Sequence, residues 1–471
     1  MPVVNLKSPL DAVANGPREE LLYVTCTRHQ PTKPDFLATV DVDPRSPTFQ
    51  KVIQRTVMPN VGDEVHHMGW NSCASCPGSI RSHLVLPCLL SSRVYVVDTE
   101  TNPRAPRLHA TVEPHELKRI GLSMPHTTHC LPNGQVLIST LGDENGNGKG
   151  NFVLIDSKTW TVTGKWTQTD TKFGYDYWYQ PFYDVMISSE WGTPNKINNG
   201  FSPKDVETGD YGHCLHVWSW KNRTLEQTLD LRELGSGSCM PLEVRFMHNP
   251  ESVHGYVGSA VGSAIYHFYR KESKWVAEKV IEIQPKQVKG WAMPEMPGVI
   301  TDILISMDDK YLYFSCWVHG DIRQYDISDP FHPKLVGQVF IGGSLCKNSG
   351  VTVTRDPELM AQPDELYVKG NKIHGGPQML QLSLDGKRLY VTNSLFSVWD
   401  NQFYSNLPKY GSSLLKLDID TVLGGMKLDR NFLVDFSTEP DGPALAHEMR
   451  YPGGDCTSDI WLSGNCCPSK I

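Results

Sequence analysis

A strand-ending pattern recurs from one end of the chain to the other, and it constrains the fold more than any other feature. Residues 92–108 read SRVYVVDTETNPRAPRL and residues 320–335 read GDIRQYDISDPFHPKL. Each has an alternating strand, a terminal aspartate (Asp98, Asp326), a proline-rich turn and a Pro-x-Leu restart. Weaker copies end at Asp41, Asp156, Trp220, Tyr269 and Asp418. That makes seven endings, spaced mostly about 45–65 residues apart, and self-similarity at such a period is the mark of propeller blades.

The expected fold is therefore all-β, a seven-bladed β-propeller. Runs rich in Val, Ile, Tyr and Trp alternate with Gly, Pro, Asn and Asp turns, with almost no 3.6-residue periodicity. First strands of blades begin near His66, His126, Tyr175, Pro241, Val299, Pro377 and Ala444. Hairpins such as HTTHCLPNGQVLIS, TDILISMDDKYLYFS and QMLQLSLDGKRLYVT pair two strands across an Asn-Gly or Asp-Gly type turn. Adding the Asp-terminated strand and one more gives the four-stranded blade. The ending at Asp41 has no first strand before it. The last first strand, around His447, is followed only by a short strand-like Asp459–Leu462. Pairing the two termini completes a blade and removes exposed sheet edges. In this division residues 1–19 are an irregular lead-in, 20–462 a single propeller domain with an insertion near 346–373, and 463–471 a tail. The insertion centres on the polar TRDPELMAQPDEL, and a loop of that length in a compact domain is functional or mobile.

Of 471 residues, 44 are Lys or Arg and 52 are Asp or Glu, a net charge of −8 without any basic run. This argues against nucleic acid or an anionic membrane as partner. Apolar stretches are only strand-length and the N-terminus shows no signal-peptide pattern, so the expectation is a cytosolic protein without a transmembrane segment. Peripheral membrane contact and a nuclear pool stay open. The 12 cysteines then read as reduced thiols.

In a propeller the first strand of each blade lines a central channel, so residues at its start converge on one axis. His66, His67, His126, His129 and His447 occupy such starts, alongside Tyr175, Asp176, Glu243, Asp302 and Gln378 in the other blades. His126 and His129 need a bulge or turn to reach one ion, because positions three apart in a regular strand face opposite sides. His319, in CWVHGD, follows a second strand and returns to the same face farther from the axis. Neutral imidazoles with carboxylates suit copper, zinc, iron or nickel, with geometry selecting among them. The competing reading is a set of separate histidines in polar turns.

Cys73 and Cys76, in CASC, could form half a zinc site, a redox dithiol or two reduced thiols in a turn. They share a site with His66 and His67 only if the intervening GWN turns, since as a strand it holds them roughly 20 Å apart. DENGNG from Asp143 lacks the bidentate glutamate of a calcium loop, with Leu154 in its place. GNGKG lacks the Ser or Thr of a phosphate loop, and no G-x-S-x-G is present.

The segments GPREE, ATVDVDP, HHMGWNSCASC, GYDYWYQP, PEMPGVITDILIS, VHGDIRQYDISDP, GGPQMLQLSLDGKRLY and ALAHEMRYPGGD, spread from about Gly16 to Trp461, resemble the selenium-binding protein family, whose members include methanethiol oxidases. The resemblance implies a β-propeller enzyme that oxidises methanethiol with O2 and water to formaldehyde, hydrogen sulfide and hydrogen peroxide, with copper as its metal. It makes His66, His67, His126, His129, His319 and His447 the ligand candidates. Position at the channel mouth ranks His67, His129 and His447 first. Copper suits a thiol substrate, because imidazole serves both its oxidation states, whereas zinc cannot take electrons. Vertebrate members carry a selenium-associated cysteine where Gln50 stands here, so selenium is the weaker cofactor expectation and Cys73 and Cys76 remain its soft-ligand candidates. The tail cysteines Cys466 and Cys467 read as a terminal feature outside the site. Two rivals belong to other classes: a selenium carrier or trafficking scaffold using the propeller faces for protein contacts, and a metal-dependent hydrolase that consumes no oxygen.

Overall fold

The computed structural model describes residues 6–29, 32–73 and 80–463. They form an all-β fold of small antiparallel sheets with a few short helices. Each expected strand ending falls at or beside the end of the third strand of a sheet: Pro34–Asp41, Val94–Asp98, Gly148–Asp156, Cys214–Ser219, Ala264–Lys271, Asp321–Asp326 and Ser413–Ile419. The aspartates have a local cause. Asp98, Asp156 and Asp326 accept backbone N–H bonds from the following turn, which stops the strand and starts the reversal.

Among the described residues, six sheets have four strands, and a seventh has a four-stranded path with a fifth strand beside it. The innermost strands are Gly69–Trp70, Ser123–Cys130, Tyr177–Gln180, Pro241–Phe246, Ile300–Ile305, Leu380–Leu382 and Leu445–Arg450. These are buried on both faces, while outermost strands such as Thr224–Asp230 alternate between exposed and half-buried. Leu445–Arg450 pairs antiparallel with Leu21–Thr27, Tyr23 opposite Arg450, so one sheet takes strands from both ends of the chain. The expected short strand at Asp459–Leu462 is absent from this sheet; that stretch is irregular.

Apolar side chains fill the gaps between sheets. Tyr23 and Leu37 pack with Trp70 and Leu84; Val85 and Val96 with Val136 and Ile138; Tyr256 and Ile265 with Ile303 and Phe314; Leu380 and Leu389 with Val24 and Ala38. Sheets that are neighbours in sequence thus bury one another's faces, and the last does so with the first. Burial at roughly 25 cal/mol per Å² of apolar area makes these inter-sheet layers the main source of stability.

Two segments are more ordered than expected. The lead-in contains a helix, Pro9–Asn15, with Ser8 accepting from the Asp11 N–H. Behind it Glu19 is buried against the Arg388 guanidinium and the Tyr390 hydroxyl. The insertion is tied down as well: Thr352–Arg355 pairs with Lys286–Lys289, and Glu358 binds both Lys286 and Arg323. The tail cysteines Cys466 and Cys467 lie outside the described residues.

Candidate metal centre

Four of the six candidate histidines meet at the starts of three innermost strands. His66 and His67 follow a backbone held from several directions. The Val65 N–H donates to Asp35, the His66 N–H to the Pro87 carbonyl, and the Thr25 hydroxyl to the His66 carbonyl. His126 sits at a register shift between Pro125 and Thr128, next to Met124 at φ 51°. His447 lies in Leu445–Arg450.

Ring centroids are 3.9 Å apart for His66 and His447, 4.0 Å for His67 and His126, 4.8 Å for His66 and His67, and 5.1 Å for His67 and His447. One nitrogen from each of His66, His67 and His126 falls within 4.8 Å of the others. All four side chains are at most 4% exposed.

Hydrogen bonding orients three of the rings. His67 Nδ1 faces Glu448 at 3.2 Å, His126 Nδ1 faces the Thr127 hydroxyl at 3.1 Å, and His447 Nδ1 donates to the Ser394 carbonyl at 2.8 Å. The Glu448 carboxylate and the Ser394 carbonyl accept, which leaves Nε2 of His67 and His447 as the lone-pair atom, while the Thr127 hydroxyl can serve either tautomer of His126. The Nε2 atoms of these three rings, and Nδ1 of His66, are buried without a hydrogen-bond partner among the described residues. Buried polar atoms normally find partners, so the close grouping of orphans on His66, His67 and His126, with His447 stacked on His66, points to a missing one. Burial holds the rings neutral: it pushes His67 down to about 3, with Arg450 adding to it, and His447 down to about 3, with His67 adding to it. His66 and His126 are lowered for the same reason, reinforced by the neighbouring rings. Neutral imidazole is the ligand form for a transition metal, and this donor set fits copper.

The other two candidates stand apart. The bulge at Pro125–Thr128 does not turn His129 toward His126: its ring packs against Tyr177 and Trp178, at 5.2 and 5.1 Å, and its Nδ1 faces the Ser458 carbonyl. His319 donates from Nε2 to the Met296 carbonyl in a different sheet. Of the three histidines ranked first, the structure thus places His67 and His447 beside His66 and His126, and His129 apart from them. Cys73 is also separate. Gly69–Trp70 is strand, which carries the chain away from the histidines, and Cys73 packs on Cys130 with its thiol near the Ile460 carbonyl. Cys76 lies outside the described residues. Gln50 is held by hydrogen bonds to Asn431, Lys369 and Leu433.

Beside the cluster the other strand starts form a buried charge network. Arg245 binds Asp176 and Glu243, both at 2.8 Å, and lies 3.9 Å from Asp302. Burial pushes Asp176 up, but Arg245 and the Val244 N–H outweigh it and hold that carboxyl below its usual range. Burial and the Asp176 charge push Glu243 well up, and burial raises Asp302 to about 7. These carboxylates also stitch the sheets together: Asp176 accepts from Val244, Asp302 from Leu380, and Glu448 from Met68.

Over the histidines lies an aromatic cover; of its residues Tyr175 is among the sequence candidates for the strand starts and Phe396 is not. Phe396 meets His66 edge-on at 6.3 Å, Trp191 lies 6.2 Å from Phe396, and Tyr175 lies tilted against His126 at 4.0 Å.

Residues 2–462 match the family model described as 56kDa selenium binding protein. A methanethiol oxidase of Xenopus laevis is 58% identical over 465 residues, 97% of this chain and 98% of its own. One of Homo sapiens is 56% identical over 464 residues, 97% of each. The X-ray structure of a hypothetical selenium-binding protein from Sulfolobus tokodaii superposes with a TM-score of 0.87 at 37% identity, covering 97% of this chain and 98% of that one.

Proposed function

The chain belongs to the 56 kDa selenium-binding protein family, and from that premise we propose that it is a copper-dependent methanethiol oxidase built as one closed seven-bladed propeller. The activity rests on the name its full-length relatives carry. The copper site rests on one observation, the buried, neutral imidazoles of His66, His67 and His126 with ring nitrogens within 4.8 Å of one another, and His447 stacked on His66 beside them. The propeller reading over residues 20–462 rests on sheets that pack in sequence order, with the last against the first.

The reaction converts one methanethiol, one O2 and one water into one formaldehyde, one hydrogen sulfide and one hydrogen peroxide, so the thiol carbon is oxidised and O2 is reduced by two electrons. Bound copper supplies a centre that exchanges single electrons and accepts a soft thiolate. The protein's own residues prepare the place for it. Glu448 and the Ser394 carbonyl hold the protons of His67 and His447 on Nδ1 and so fix which nitrogen faces inward. Phe396, Trp191 and Tyr175 close the cluster against water, which preserves reactive intermediates from solvent.

Copper-loaded protein given methanethiol is expected to consume O2 and to release sulfide and peroxide in equal amounts, read with an oxygen electrode and product assays. A fully loaded sample that takes up no O2 would contradict the activity, and turnover without oxygen would favour a hydrolase.

A further inference from the structure

We propose that Phe396 is the specificity-determining wall of this site, setting how large a thiol can approach the histidines on the side of His66. The proposal rests on the thiol-oxidase reading above. Methanethiol has one polar atom and one methyl group, so a protein can select it only through the shape of the apolar surface around the reacting sulfur. Phe396 is fully buried and presents its ring to His66 and to Trp191, the latter backed by Tyr175 and Trp399 at 5.5 and 5.6 Å.

The backbone that carries this ring, at the start of the helix Ser397–Phe403, is fixed from both sides. On one side the Ser394 carbonyl accepts from His447, while Asp400 accepts from the Ser394 hydroxyl at 2.6 Å and the Leu395 N–H at 2.9 Å. On the other side the Ser397 N–H and hydroxyl donate to Glu64, at 2.9 and 2.6 Å. Glu64 precedes His66 by two residues and is itself held in a left-handed conformation at φ 56°. The turn bearing Phe396 is thus tied to two of the backbone segments that present the histidines, so the distance from its ring to the cluster is set by the same hydrogen bonds that position the cluster.

Rigid apolar walls discriminate by size: each methylene that does not fit changes relative turnover by about 10–200-fold. The test compares methanethiol with 1-butanethiol in wild type, Phe396→Leu and Phe396→Ala, with copper content measured on each. The ratio of kcat/KM for butanethiol over methanethiol is expected to rise about tenfold or more in Phe396→Ala, and by less in Phe396→Leu, at unchanged copper content. An unchanged ratio in a fully loaded variant would overturn the proposal; should the alanine variant fold poorly, the leucine variant decides it alone. Dissociation constants for both thiols, read from the optical spectrum of the bound copper without turnover, separate this proposal from the activity. If wild type binds thiols but does not oxidise methanethiol, the oxidase reading fails, while the ratio of those constants still rises in the variants if Phe396 sets thiol size and stays constant if it does not.

Discussion

Replacing His66 and His126 together with alanine is expected to abolish copper loading and to lower methanethiol-dependent oxygen uptake by more than about 100-fold, whereas replacing His129 and His319 is expected to leave copper content near wild type. The magnitude follows from the geometry. Disturbing a residue that merely supports a metal-binding imidazole costs about 10–100-fold in affinity, and here two of the imidazoles themselves are removed. The control pair is demanding because both residues are as buried as the cluster: His129 is 2% exposed and His319 0%. Burial alone would make all four equivalent. What separates them is grouping, since nitrogens of His66 and His126 lie within 4.8 Å of each other and of His67, while His129 faces Trp178 and His319 a carbonyl. Metal analysis by mass spectrometry and an oxygen electrode read both halves of the prediction.

Arg245→Met is expected to destabilise the protein by about 3–5 kcal/mol in a urea denaturation experiment, because it leaves buried acid groups without their cation. Arg245 is 4% exposed and stands among Asp176, Glu243 and Asp302 with its guanidinium over the Trp178 ring. Glu243 and Asp302 are raised and can meet the loss by staying protonated, but Asp176 is held as a carboxylate by this arginine. Adding Asp176→Asn to Arg245→Met is therefore expected to recover part of the stability. Equal losses in the single and double variants would mean that packing of the arginine stem, and not its charge, is what the core needs.

Much of the sheet architecture was legible because each sheet repeats a local signal. Asp98, Asp156 and Asp326 end their strands by accepting turn N–H groups, and that chemistry is written within three residues of each aspartate. The pairing of the two termini was legible too, since a sheet short of its inner strand and an inner strand short of its sheet imply one another. The site was only partly so. The starts of the strands identified all four clustered histidines, but ranking among them depended on side-chain direction after a bulge, and a bulge at Pro125–Thr128 leaves no mark in residue spacing. Phe396 was not legible for a different reason: it sits in a connection between strands, and only the folded chain shows that Glu64 and Ser394 bring it over His66. The anchoring of the lead-in and the insertion was not legible, because Glu19 and Glu358 are each committed to an arginine distant in sequence or reached only by the fold.

The most direct test of the metal centre is X-ray absorption fine structure at the copper edge of the loaded protein. The histidine cluster predicts a nitrogen shell with the multiple-scattering pattern of imidazole rings and no sulfur bound in the absence of thiol. A copper–sulfur shell in the thiol-free protein would place the metal at cysteines such as Cys73 and Cys130 and contradict the assignment to His66, His67, His126 and His447.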